Sequence, residues 1–261
     1  MFDTPAKDGF AMSNAELVLA DRVVRGRIEV SNGHISAIDD GGSGPGIDVE
    51  GDYITPGVVD LHTDHVEAHV FPRFGVQWDF LNALMSHDAI AIGGGTTTVF
   101  DSLAVGASMR RPERREILGP LIDALETGVA AGLFRAEHFL HLRCEITDPD
   151  TIRLVDENIG RDLSRIASVM DHTPGDRQIT DVTRWLRFIM EDMDLNEAAA
   201  RVKMEELLER SARVGAEVRA HVVAACAQNH VPLMSHDDRT ADHSDQAKAE
   251  GLAMSEFPTT L

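Results

Sequence analysis

Residues 56–67 read PGVVDLHTDHVE, a short apolar run that stops at His62, Asp64 and His65. The same conjunction recurs along the chain. "HLRCE" ends in Glu145, "SVMDH" ends in His172, and "LMSHDD" ends in His236, Asp237 and Asp238. Neutral imidazole combined with carboxylate is the ligand set of a hydrolytic Zn²⁺ or Mn²⁺ site. Taken singly, each has an ordinary explanation: Glu145 as a surface ion-pair partner, Asp237-Asp238 as a helix cap, a strand-end histidine as a satisfied polar group. Four apolar runs in succession that end in such residues point instead to one shared metal centre.

Strand geometry sorts the candidates. Residues two apart in an extended strand face the same side, so His62 and Asp64 are expected to reach one ion together. His65 then faces away or supports a ligand from behind. By the same rule His141, Arg143 and Glu145 share a face, with Glu145 outermost. Cys144 falls on the other face and reads as packing. "IGGGTTT" at 92–98 lacks the Lys-Ser/Thr ending of a phosphate loop and leads into a strand. Gly93–Gly95 is therefore expected to be a tight helix-to-strand turn.

These side chains need elements to carry them. Residues 16–39 read as short β segments, with Asn32-Gly33 as a hairpin turn because both residues tolerate positive φ. "DDGGSGPG" at 39–46 is a loop. Residues 1–50 thus form a small β element, and residues 51–261 a second domain. There, about five apolar strands alternate with helical patterns over 113–131, 181–192 and a long stretch from Asn196 that Gly215 is expected to divide. Such alternation specifies α/β architecture around a parallel sheet, open or barrel-like. No closing element is evident at "SEFPTTL".

Totals exclude several classes. The 261 residues carry 24 Lys+Arg against 44 Asp+Glu, a net charge of −20, which argues against a nucleic-acid binder or an anionic membrane surface. No apolar run approaches the roughly 20 residues that span a bilayer. With two cysteines and no signal-like start, a cytoplasmic location is expected.

"ITPGVVDLHTD" following a β hairpin series resembles the amidohydrolase superfamily, metal-dependent hydrolases built on a (β/α)₈ barrel. Their usual His-x-His is here His62-Thr63-Asp64. Longer phrases ("SHDAIAIGGGTTTVFDSL", "SVMDHTPGDRQ", "PLMSHDDRT") are similar to a branch of it that acts in phosphonate breakdown. The similarity runs from about residue 16 to the end. It implies an incomplete (β/α)₈-type barrel and hydrolysis of a small ribosyl triphosphate with release of pyrophosphate. It also implies a late-strand catalytic aspartate for which this chain has no match, expected beyond Leu261. Apolar faces left by missing strands would reduce solubility or pair with a second copy as a homo-oligomer.

On that reading His62, Asp64, Glu145, His172 and His236 hold one or two divalent ions, Zn²⁺ or Mn²⁺, with Glu145 bridging. Arg73, Arg143, Arg177 and Arg239 lie near the strand ends and offer bidentate grips for phosphate, Arg239 the foremost. Two other readings compete. One is a carbon–nitrogen amidohydrolase such as a cyclic amidase or deacetylase; the other is an inactive metal-binding fragment.

Overall fold

The computed structural model describes residues 9–42, 44–73, 75–106 and 114–259. Position 113 of the expected helix over 113–131, Ser43 of the glycine-rich loop and the last two residues lie outside them. Two compact units divide the chain at Val58/Val59.

In the first unit β1 (Phe10–Val18), β2 (Val23–Ser31) and β3 (His34–Asp40) form an antiparallel meander. Asn32 (φ 52°) and Gly33 (φ 77°) make the turn between β2 and β3, as their tolerance of positive φ requires. The short strands β4 (Ile47–Asp48) and β5 (Tyr53–Ile54) add in parallel to β1. Alternate residues Ala15, Leu17, Val24 and Ile28 build a small core on one face.

The second unit starts with β6 (Val58–Thr63), followed by α1 (His65–Val70), α2 (Phe80–Gly93) and β7 (Thr96–Val105). It continues with α3 (Arg114–Ala130), β8 (Glu137–Glu145), α4 (Thr151–Asn158) and β9 (Ser164–Met170). Then come α5 (Val182–Met193), α6 (Glu197–Gln228), β10 (Leu233–His236), α7 (Ala241–Ala249) and β11 (Met254–Glu256). The sheet order is β6-β7-β8-β9-β10-β11, and the pairings from β7 to β11 are all parallel. Each strand is laid beside its predecessor in one direction, with no reversal of the kind that defines a doubly wound sheet. This is the strand order of a (β/α)₈-type barrel, incomplete among the described residues.

Alternation along β8 shows how the sheet separates packing from chemistry. Leu140, Leu142 and Cys144 enter the main core with Leu118, Leu121 and Val222 of the helices. His141, Arg143 and Glu145 occupy the opposite face and are buried as well.

Two details depart from expectation and a third agrees with it. β11 is a sixth strand where no closing element was evident; its Met-Ser-Glu offers no apolar run, and pairing with β10 defines it. The helix from Asn196 runs 32 residues without division at Gly215. A mid-helix glycine costs only about 1 kcal/mol, and burial of Val218, Val222, Ala225 and Cys226 in the main core carries the helix through. Gly93–Gly95 does form the helix-to-strand turn: Gly94 caps α2 and Gly95 (φ 87°) leads into β7.

Candidate active site

Strand ends deliver two carboxylate–imidazole groups side by side. In the first, His62 at the end of β6 donates through Nδ1 to Glu256 Oε1 at 2.5 Å. His236, at the end of β10, places Nε2 3.8 Å from Glu256 Oε2. One ligand atom from each of the three lies within 4.8 Å of the others. His236 Nε2 and Glu256 Oε2 are both buried without a hydrogen-bond partner. A buried polar atom left unsatisfied costs about 1–3 kcal/mol, so two facing orphans define a position that a shared cation would satisfy. Ligands about 2.1 Å from one ion lie roughly 3–4 Å apart; the donor set fits a divalent metal.

His236 is prepared for that role. Its Nδ1 lies 2.8 Å from Asp237 Oδ2, which orients the ring so that Nε2 faces Glu256. Asp237 itself adopts φ 56°, a left-handed conformation that Asp tolerates better than most residues. Burial acts to raise the Glu256 carboxyl pKa, but the His62 hydrogen bond and the surrounding imidazoles outweigh it and keep the group below its ordinary value.

The second group joins Glu145 and His172. His172 Nδ1 donates to Glu145 Oε2 at 2.5 Å, while Thr147 donates to Oε1 from its hydroxyl at 2.7 Å and its backbone at 3.2 Å. Burial pushes the Glu145 carboxyl up, yet His172 and Thr147 hold it below the usual range. Burial likewise pushes His172 down, and Glu145 overcomes this and raises it. The ring of His172 is 6.4 Å from that of His236, whose ring is 6.1 Å from that of His62. The groups therefore adjoin through His236.

Asp64 joins neither group. β6 ends at Thr63, and Asp64 caps α1 with φ −101° and ψ 16°. The two-residue alternation that was to aim it beside His62 stops one residue earlier. It accepts from Arg143 Nη1 at 3.3 Å with its side chain 51% exposed. His65 is exposed on α1 and makes no side-chain contact with the ligand candidates among the hydrogen bonds described.

The arginines also separate. Arg143 is buried on the inner face of β8 with its Nε unpartnered, and burial lowers its pKa. Arg177 is closed into the protein instead: its Nη1 donates to Asp238 Oδ1 at 2.6 Å and to the His236 carbonyl at 3.3 Å. Asp238 further accepts from the hydroxyls of Ser235 and of Ser255, the latter at 2.7 Å, so it ties β10 to β11. Burial would raise the Asp238 pKa, but these donors lower it. Arg239 donates from its backbone to His243 Nδ1 at 3.2 Å, and exposed Arg73 bridges to Val76.

Beside the second group lies a cavity of about 230 Å³. Asp64, Arg143, Glu145 and His172 line it, as does Arg114 at the start of α3, which donates to Glu67 at 2.7–2.9 Å. Arg177, Arg239 and Arg73 are not among its lining residues. Residues of α5 and α6 complete the wall.

Glu256 and Arg114 were not among the candidates drawn from the sequence, and His141 was placed on the face of Glu145 without a role. Glu256 sits in a three-residue strand without an apolar signature. Arg114 opens a helix and looks like any surface cation. His141, whose Nδ1 lies 3.0 Å from the Leu61 carbonyl and Nε2 2.9 Å from Ser168 Oγ, is pulled by burial to a pKa of about 4 and stays neutral next to His62. Only for Glu256 was a signal present: an acidic residue that ends a short extended segment, like Glu145.

A parallel sheet wound in barrel order, with imidazole and carboxylate gathered at its C-terminal strand ends, is an arrangement common to metal-dependent hydrolases of the (β/α)₈ type. No protein-family model matches the chain. It is 36% identical over 252 residues to the α-D-ribose 1-methylphosphonate 5-triphosphate diphosphatase of Escherichia coli (strain K12), which covers 96% of this chain and 67% of that protein. The chain belongs to this diphosphatase family. Among solved structures it is similar to the L-hydantoinase from Arthrobacter aurescens (18% identity, TM-score 0.46). A D-hydantoinase from Thermus sp. is similar too (17% identity, TM-score 0.45). In both cases 94% of this chain is covered, and the chain spans 56% of the hydantoinase.

Proposed function

We propose that the chain serves the reaction named for its relative, the hydrolysis of α-D-ribose 1-methylphosphonate 5-triphosphate with release of pyrophosphate, in phosphonate catabolism. The observation that carries this reading is the facing pair of orphaned ligand atoms, His236 Nε2 and Glu256 Oε2, in a chain of this family. His62, His236 and Glu256 would hold one divalent ion, Zn²⁺ or Mn²⁺, and Glu145 with His172 would contribute to a second. Such ions acidify a water molecule and neutralise charge that develops on phosphate oxygens.

The protein's own groups supply the rest. Glu145, kept anionic by His172 and Thr147, can accept a proton from a water molecule, while the His172 hydrogen bond at 2.5 Å holds the carboxylate in place. Arg143 and Arg114 present guanidinium groups to the cavity, where phosphate oxygens gain charge-assisted hydrogen bonds. The roles assigned to Asp64, and to Asp237 behind His236, follow the same reading: Asp64 holds Arg143 in place and Asp237 orients an imidazole. No described helix is long and apolar enough to cross a membrane, and the two buried free thiols, Cys144 and Cys226, support a reducing cytoplasm.

The test is metal content together with pyrophosphate release, on this chain and on a version extended to the relative's length. Stoichiometric Zn²⁺ or Mn²⁺ and metal-dependent release are expected. Stable protein of both lengths that binds no divalent ion, or binds it and releases no pyrophosphate, would end the proposal.

A further inference from the structure

The helices α5 and α6 carry a hydrophobic core of their own. Trp185, Leu186 and Ile189 pack on Ala200 and Leu207, separately from the main core beneath the sheet. One side of this hairpin lines the cavity beside Glu145 and His172 with Trp185, Phe188, Ile189, Met193 and Leu207. Within that apolar wall α6 places a single cation among the described lining residues, Lys203. Its ammonium donates to Glu206 at 2.9 Å, one turn along an exposed helix face. Exposed pairs of that spacing are weak, so the lysine can exchange its partner for a stronger anion.

We infer that the α5–α6 hairpin is a specificity cap that recognises the methylphosphonate end of the substrate, Lys203 taking a phosphonate oxygen and the Trp185–Ile189–Leu207 wall taking the methyl group. This deepens the function proposed above and rests on it. The substrate is anionic at both ends, and the strand-end residues with Arg114 and Arg143 serve the triphosphate. The cap is then left for the other end. A phosphonate carries carbon directly on phosphorus where a phosphate carries oxygen. Oxygen set against this wall would shed its water and find no replacement donor; a methyl group gains from the same contact. The arrangement of one cation beside an apolar surface therefore separates a methylphosphonate from a phosphate at the same position.

The experiment is equilibrium binding by calorimetry to this chain in the presence of a chelator, so that no turnover is needed. The two ligands are ribose 1-methylphosphonate 5-triphosphate and the analogue with phosphate in place of methylphosphonate. The methylphosphonate is expected to bind about ten- to a hundredfold more tightly, the range over which an apolar pocket distinguishes a polar isostere. Ile189→Thr, which gives the wall a hydroxyl, should bring that ratio towards one. Lys203→Ala, on a side chain 39% exposed, should weaken both ligands by roughly tenfold or more and preserve their ratio. Equal affinity of the two ligands for the wild-type chain overturns the cap assignment, as does failure to bind either one. An unchanged affinity in Lys203→Ala overturns it too. Pyrophosphate release by the metal-loaded protein is measured separately: its absence would refute the proposed reaction, while the binding ratio decides the cap.

Discussion

His236 Nε2 and Glu256 Oε2 face each other at 3.8 Å, both buried and neither hydrogen-bonded. The separation is too long for a hydrogen bond and suits two ligands of one ion. The carboxylate behind His236 adds directionality, since Asp237 engages the far nitrogen of the ring.

Asp237→Asn should lower divalent-metal affinity about 10–100-fold, the usual effect of removing the outer partner of a ligating histidine. Asparagine tolerates the left-handed backbone at this position, where φ is 56°. Competition with a metal-binding dye measures the change; Glu256→Gln should lose more than Asp237→Asn, and the reverse ranking would place the ion elsewhere.

Arg143→Ala and Arg239→Ala should behave differently. The first removes a cavity guanidinium and should weaken triphosphate binding by about 1.5–3 kcal/mol, as for a hydrogen bond to a charged group. The second lies outside the cavity lining and should leave binding within about 0.5 kcal/mol of wild type. Both should retain metal. Calorimetry with the substrate tests the contrast, and equal losses would return Arg239 to the phosphate side.

Arg177 and Asp238 form a buried ion pair, each side chain 4% exposed. Removing one partner from such a pair costs about 3–5 kcal/mol because the other charge stays behind. Asp238→Ala should therefore shift the denaturation midpoint strongly. A small shift would mean that the clasp between β10 and β11 contributes little.

A second buried network predicts a pH dependence. His138 Nδ1 donates to Asp101 Oδ2 at 2.8 Å, its Nε2 lies 3.3 Å from Asp88, and His87 lies 3.1 Å from the other Asp101 oxygen. Burial acts to lower the His138 pKa, but Asp101 and Asp88 raise it above its ordinary 6.5. A raised pKa means that the folded state holds the proton more tightly. The resulting stability is complete below pH 6.5 and declines as pH climbs through the raised value. Asp101 shifts the opposite way: burial would raise it, the two histidines lower it below 3.8, and its contribution is lost only as pH falls through the depressed value. Urea unfolding against pH should show a decline above pH 6.5 that Asp101→Asn flattens.

Gly215→Ala should stabilise the protein by about 0.5–1 kcal/mol, the gain from removing a mid-helix glycine. A Cβ there would meet Ser211 Oγ at 3.5 Å and Ile146 Cδ1 at 4.0 Å, ordinary contacts. Thermal unfolding would register the gain, and a loss would show that the wall around α6 is tighter than these distances.

What the sequence determined by itself was local. The Asn32-Gly33 turn follows from two residues that accept positive φ, the Gly93–Gly95 turn from a helix end, and the split of β8 into apolar and polar faces from two-residue alternation. That His62, Glu145, His172 and His236 gather at one edge of the sheet was legible because each follows an apolar strand, and strand ends in a parallel sheet converge. Which of them face one another was not legible. His62 meets Glu256 across 194 positions of sequence, and that meeting depends on β11, a strand that exists only because β10 offers it backbone partners. Asp64 was misplaced because alternation ends where the backbone turns into α1, one residue sooner than the apolar pattern implies. Arg239 stood foremost among the arginines beside the strand ends, yet it does not line the cavity, and neither does Arg177, which is buried against Asp238. Local dihedral preference is written in neighbouring residues. Partner choice among charged groups is decided by distance and desolvation, and those arise only when the sheet has assembled.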